Sequence, residues 1–158
     1  MMRSIYILDA CGLFAFFQLA SPNSIKYLNK LNISSKLQRV FYKMLIEEIE
    51  IVIPVPALSE FMYKLYKNKK MKKYNEFIKQ LEKRDNFYFI GWDFQVLKSM
   101  ADYLLSYSNK IDKYTEKTKE GIELFDLCIY HIGKLNNIKI IISKDKIFDE
   151  LYNLKRVW

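Results

Sequence analysis

The 158-residue chain predicts an α/β fold, a three-layer α/β/α sandwich built on a central, mostly parallel sheet. Two observations carry this expectation. Four short, nearly continuous apolar runs, Ser4 to Leu8, Ile51 to Ile53, Phe87 to Ile90 and Lys139 to Ile142, have the composition of strands covered on both faces. Between them lie longer segments whose apolar residues recur every three or four positions. Alternation of strand and helix joins parallel strands through right-handed crossovers and places helices on both sides of the sheet.

The first strand ends at Asp9, and Cys11 to Leu19 reads as an apolar helix. Ser21, Pro22 and Asn23 supply a turn before a short, more polar segment. Ser34 and Ser35 can cap the next helix, on which Leu37, Val40, Phe41, Met44, Leu45 and Ile49 repeat at helical spacing. After the second strand, Pro54 and Pro56 bracket the entry to a helix through Leu58, Phe61, Met62 and Leu65, with Pro56 where a first turn tolerates its missing N–H. Lysines dominate from Lys67 to Lys73, and Tyr74, Phe77, Ile78 and Leu81 then resume the 3.6-residue rhythm in a helix ending near Arg84. Gly91 stops the third strand, and Asp93 is placed to cap a helix carrying Val96, Leu97, Met100, Leu104 and Leu105. Ser106 to Gly121, rich in Lys, Asp, Thr and Ser, reads as a surface excursion. A helix from about Ile122 to Asn136, the fourth strand, a short helix from Lys146 to Leu154 and a small strand at Arg156 to Trp158 follow. With no internal repeat and no linker, residues 1–158 form one expected domain.

Composition narrows the function classes. Lys and Arg number 26 against 18 Asp and Glu, and the net charge of +8 makes an anionic partner plausible. With 51% apolar residues, four Gly and three Pro, the chain has the makings of a buried core. No apolar run reaches the ~20 residues of a bilayer span. Gln18 breaks Ala10 to Ala20, and Asp9 interrupts what would be a signal peptide's hydrophobic region, so the chain reads as cytoplasmic, unprocessed and without a membrane partner. Cys11 and Cys128 lie far apart and read as small buried hydrophobes. The single histidine, His131, and the lack of a nucleophile elbow argue against a Ser-His-Asp hydrolase. The lack of a Gly-rich phosphate loop argues against an NTPase or dinucleotide enzyme. His131 itself reads as a helix-surface or core histidine in preference to a general base.

In parallel α/β sheets the ligand crevice lies outside the carboxyl ends of the strands. Four acidic residues fall there. Asp9 follows the first strand, Glu60 lies in the first turns of the helix after the second, Asp126 lies near the start of the helix before the fourth, and Asp145 follows the fourth. Each alone could be a cap or an ion-pair partner. Caps have no reason to gather at one sheet edge, however, and Asp9, Glu60 and Asp126 stand in apolar sequence, where an ionised carboxylate is costly unless paired or bound to a cation. Such an oxygen-rich set suits Mg²⁺ or Mn²⁺. An ion of this kind activates water and neutralises a phosphodiester under attack.

The strand ending in Asp9, the segment Pro54-Val55-Pro56-Ala57-Leu58-Ser59-Glu60-Phe61, the helix start Phe125-Asp126-Leu127-Cys128-Ile129 and Ile141-Ile142-Ser143-Lys144-Asp145-Lys146-Ile147-Phe148 together resemble the PIN-domain ribonucleases, over nearly the whole chain. The last segment is the most specific. The resemblance implies the α/β/α sandwich and Mg²⁺- or Mn²⁺-dependent endonucleolytic cleavage of RNA, with Asp9, Glu60, Asp126 and Asp145 at the family's acidic positions and Ser143 at its hydroxyl position. Asp9, Asp126 and Asp145 are then the metal ligands, and Glu60 ligates through water or orients the attacking hydroxide. The resemblance further implies a VapC-type toxin, a homodimer silenced by an antitoxin that covers the site. Cys11 departs from the family's frequent Ser or Asn at that position and is a poor hydrogen-bonding substitute. A PIN-like RNA-binding or scaffold protein that no longer cleaves is the alternative. Glu123, one turn before Asp126, either supplements the site or faces solvent, and the second is expected.

The densest basic run comprises Lys64, Lys67, Lys69, Lys70, Lys72 and Lys73, with Tyr63, Tyr66 and Tyr74 interleaved. Lysines here, Lys64, Lys67, Lys70 and Lys73 among them, can contact RNA phosphates while tyrosines stack on unpaired bases. A solvated helical face with inward-packed tyrosines is the plainer reading.

Overall fold

The computed structural model describes residues 3–20, 33–119 and 121–158. Its apolar runs pair as one five-stranded, wholly parallel sheet in the order β3-β2-β1-β4-β5. Strand β1 (Ile5–Leu8) is central, flanked by β2 (Glu50–Pro54) and β4 (Ile140–Ile142), with β3 (Phe87–Ile90) and β5 (Lys155–Val157) at the edges. The chain winds outward from β1 in one direction through β2 and β3, then in the other through β4 and β5. The reversal between β1 and β4 opens a crevice at their carboxyl ends.

Ile7 aligns with Val52 and Ile141 on one face of the sheet, while Leu8 aligns with Ile142 on the other. All five side chains are at least 96% buried. Helix α1 (Ala10–Leu19), α2 (Ser35–Leu45) and α4 (Met71–Leu81) meet over the face that carries Phe87, where Phe16 contacts Phe41, Phe77 and Phe87 at ring separations of 5.5–5.9 Å. Helix α3 (Val55–Lys67) joins this layer through Phe61, which packs on Phe17 and Phe77. On the opposite face α7 (Leu124–Leu135) crosses the sheet with Gly133 beside Ile7, and α5 (Phe94–Ser106) packs against α7. The three-layer α/β/α expectation is met.

The caps read from the sequence form. The Ser34 hydroxyl accepts the Leu37 N–H at 3.2 Å, and the Asp93 carboxylate accepts those of Gln95 and Val96 at 2.9 and 3.0 Å. Pro56 sits in the first turn of α3. Other expectations are corrected. Ser106 to Gly121 is mostly helix, α6 (Ser108–Thr118), because its lysines and glutamate are good helix formers and Tyr114 anchors one side in the core. Ile49 lies beyond the end of α2 and fills the core just before β2. The helix expected to Leu154 is a single turn, α8 (Ile147–Glu150), and the last strand begins one residue earlier than expected. The turn expected at Ser21 to Asn23 lies outside the described residues.

One fully buried polar residue ties the layers together. The Asn86 side-chain amide donates to the carbonyl oxygens of Met44 and Ile49, both at 3.0 Å, joining the exit of α2 to the entry of β2 and β3.

Candidate functional site

The end of β1 delivers Asp9 into the crevice as the N-cap of α1. The Gly12 N–H donates to Asp9 Oδ1 at 2.6 Å, and the Ser143 hydroxyl donates to Asp9 Oδ2. Gly12 is required by closeness: a Cβ there would stand 2.5 Å from the Ile142 carbonyl oxygen and 3.3 Å from Asp9 Oδ1. β4 delivers the partner side. Ser143 Oγ accepts the Asp145 N–H at 2.9 Å, and Asp145 Oδ1 in turn accepts the Ile147 N–H at 3.0 Å, so Asp9, Ser143 and Asp145 are linked by one hydrogen-bond chain across the strand switch.

Asp126, in the first turn of α7, and Asp145 line a common cleft of about 470 Å³ with Tyr114, Ile122, Glu123 and Ile147. Glu60 stands on α3, held by the Lys64 ammonium at 2.6 Å. Glu123 is solvent-exposed as expected, yet it borders the cleft.

The electrostatics record how close these groups are. Burial pushes the Asp9 carboxyl from its ordinary 3.8 up to about 7; hydrogen bonds from Ser143 and Gly12 oppose the rise, and the charges of Glu60 and Asp145 add to it. Asp126 is likewise pushed up to about 7 by burial, then by Asp145, Glu123, Asp9 and Glu60. Asp9 and Asp126 thus both feel the charges of Asp145 and Glu60. Carboxylates pushed toward the protonated state chiefly by burial, and further by neighbouring carboxylates, form a site short of positive charge, and hard oxygen donors of this kind fit a divalent ion such as Mg²⁺ or Mn²⁺. As the side chains stand, no three Asp, Glu, His or Cys groups among the described residues meet around a single point. The donor set fits; three of its members already hold partners, Asp9 through Gly12 and Ser143, Asp145 through Ile147 and Glu60 through Lys64.

A family profile described as "PIN domain" matches residues 6–154. The chain belongs to the PIN-domain family. No curated protein matches it. Among solved structures, this PIN domain is similar to VapC20 of Mycobacterium tuberculosis, described as a Sarcin-Ricin loop cleaving toxin, at TM-score 0.61 and 9% identity, covering 92% of this chain and 93% of that one. It is also similar to VapBC2 from Rickettsia felis, bound to a promoter DNA fragment (TM-score 0.57, 16% identity, 96% of each chain), and to VapBC-1 from nontypeable Haemophilus influenzae (0.58, 18%, 96% of each chain). At these identities the likeness is one of fold.

Within the PIN domain, the basic run is split by a turn at Asn68 to Lys70 and divides between α3 and α4. Tyr74 packs inward against Phe61, whereas Tyr63 and Tyr66 are exposed and stacked on each other, with the Lys67 ammonium 4.6 Å from the Tyr63 ring centre. His131 is fully buried, its Nδ1 2.7 Å from the Ser99 hydroxyl, as a core histidine. Cys11 is half-buried at the edge of the acidic group, and burial pushes its thiol up to about 11. Sequence reasoning missed Gly12, the residue that both shapes and hydrogen-bonds Asp9; a glycine three positions after a strand-end Asp was the available signal. No helix among the described residues is long and apolar enough to cross a membrane.

Proposed function

We propose that this PIN domain is a Mg²⁺- or Mn²⁺-dependent endoribonuclease, the toxin of a toxin–antitoxin pair. The observation that carries the reading is the gathering of carboxylates at the strand switch, Asp9 joined to Asp145 through Ser143 and Asp126 sharing a cleft with Asp145, in a chain of net charge +8. Asp9, Asp126 and Asp145 would hold the ion, which when bound supplies Lewis-acid activation of water and charge neutralisation at the phosphodiester. Ser143 fixes the Asp9 carboxylate through its hydroxyl, and the Asp145 carboxylate is held in turn by the Ile147 backbone N–H. Glu60 orients the attacking water or ligates through it. Lys64, Lys67, Lys70 and Lys73 hold the RNA backbone, and the exposed Tyr63 and Tyr66 offer flat faces to unpaired bases.

The VapBC neighbours support an antitoxin partner. A homodimer is supported by a row of exposed apolar residues, with Phe94 73% and Leu105 81% exposed beside Leu97 and Leu104 on α5 and with Leu124 at the start of α7. A cytoplasmic location is in keeping with this reading.

Incubating RNA with the protein and Mn²⁺ tests it. Cleavage abolished by chelator and lowered by about 100-fold or more in Asp145→Asn is expected, since losing a ligand removes several kcal/mol of transition-state stabilisation. Full activity in Asp145→Asn would sink the assignment. The engagement of Glu60 by Lys64 and the thiol at Cys11 favour the alternative, an RNA-binding scaffold, for which metal-independent RNA binding without cleavage is the expected result.

A further inference from the structure

Lys64 is a cation set among the acids. Its ammonium meets Glu60 Oε1 at 2.6 Å, with Glu60 one turn earlier on α3, the favourable order for such a pair. Burial works against its charge, but Glu60, then Cys11 and Asp9, lift its pKa above the ordinary lysine value. The pair is 43% and 36% exposed, and exposed pairs add little to stability. Its place in the fold therefore calls for a role other than holding α3 together, and an accessible pair is also one that an incoming ion can open.

We infer that Lys64 is a resident counter-cation of the acidic site: it occupies Glu60 until a divalent ion arrives, so that metal and lysine compete for the same carboxylate and Lys64 sets the metal affinity as a positioning residue. This rests on the metal-dependent reading above. It accounts for the geometry in which no three acidic groups among the described residues surround one point while Glu60 faces Lys64. On release from Glu60, the ammonium stands at the edge of the site, free to meet a substrate phosphate.

Mn²⁺ binding, read from the loss of the free-ion electron paramagnetic resonance signal, tests this without reference to catalysis. Lys64→Met should bind Mn²⁺ about tenfold more tightly than wild type, the scale expected for removing a unit charge a few ångströms from a divalent ion at the surface. Lys64→Arg, which keeps the pair, should stay within about twofold, and so should Lys36→Met, an exposed charge on α2 screened by salt. In a Glu60→Gln background most of the tightening should disappear. Unchanged or weaker binding by Lys64→Met, or equal tightening with and without Glu60, overturns the competition while Asp145-dependent Mn²⁺ binding by wild type keeps the metal reading standing. No Mn²⁺ binding by any variant overturns both.

Discussion

Replacing Asp9 with asparagine should make the metal-free protein more stable at neutral and alkaline pH. The native carboxyl is 5% exposed, and burial raises its pKa from 3.8 to about 7. The unfolded chain ionises Asp9 near 3.8, whereas the folded chain holds the proton to about 7; between these values the folded state binds more protons, and stability falls as pH rises. Roughly three pKa units at about 1.4 kcal/mol each amount to about 4 kcal/mol of stability, fully present below about pH 4 and fully lost above about pH 7. Asparagine carries no charge. Its amide oxygen can accept the Gly12 N–H, but its NH₂ must face Ser143 Oγ, which already accepts from Asp145, and this reversed donor offsets about 1–2 kcal/mol. The net gain is about 2–3 kcal/mol at pH 8, or roughly 5–10 °C in melting temperature for a chain of this size. Thermal unfolding in chelator at pH 4, 6 and 8 measures it, and the difference between variant and wild type isolates Asp9 from other titrating groups. A variant destabilised equally at all three values would refute the reasoning. Added Mn²⁺ should raise the melting temperature of wild type and leave Asp9→Asn nearly unmoved.

Gly12→Ala should cost about 2–3 kcal/mol in chemical denaturation, because its Cβ would meet the Ile142 carbonyl oxygen, backbone of a central strand that cannot swing aside; loss below about 0.5 kcal/mol would show that α1 can shift freely. His131 should remain neutral well below the ordinary histidine range, since burial, and next Lys134, depress its pKa from 6.5 to about 4. Its contribution to stability is therefore present above pH 6.5 and lost as pH falls toward 4. Imidazole proton shifts that stay flat from pH 8 to pH 5.5 are the expected NMR result, and a midpoint near 6.5 the contrary one.

The strands were legible because a parallel sheet buried on both faces demands runs such as Ile51 to Ile53, with no polar alternation to confuse them. The acidic positions were legible for a related reason, since strand ends at a winding reversal define one crevice and Asp9 and Asp145 stand directly after β1 and β4. Helix α6 was hidden because its apolar contacts rest on Tyr114 and the half-buried Ile111, too few to print a period on a lysine-rich segment. Ile49 misled in the opposite way, continuing a helical spacing after the backbone had turned. The pairing of Glu60 with Lys64 was within reach at a four-residue interval, yet a dense basic run draws attention to an outside partner before an internal one. Asn86 gave no signal at all, as its value comes from two carbonyls about 40 positions upstream.

The central position of β1 has a consequence for how the molecule comes into being. β1 pairs with β2 near residue 50, but its other edge waits for β4, and the Ser143 hydroxyl that secures Asp9 lies 134 positions further along. Such distant pairings are slow to close and cannot be anticipated by local structure. A nascent or prematurely terminated chain ending before β4 would therefore carry Asp9 without Asp145 and half a sheet without its switch point. An activity that depends on both could arise only once the β4 segment has been made and has paired with β1.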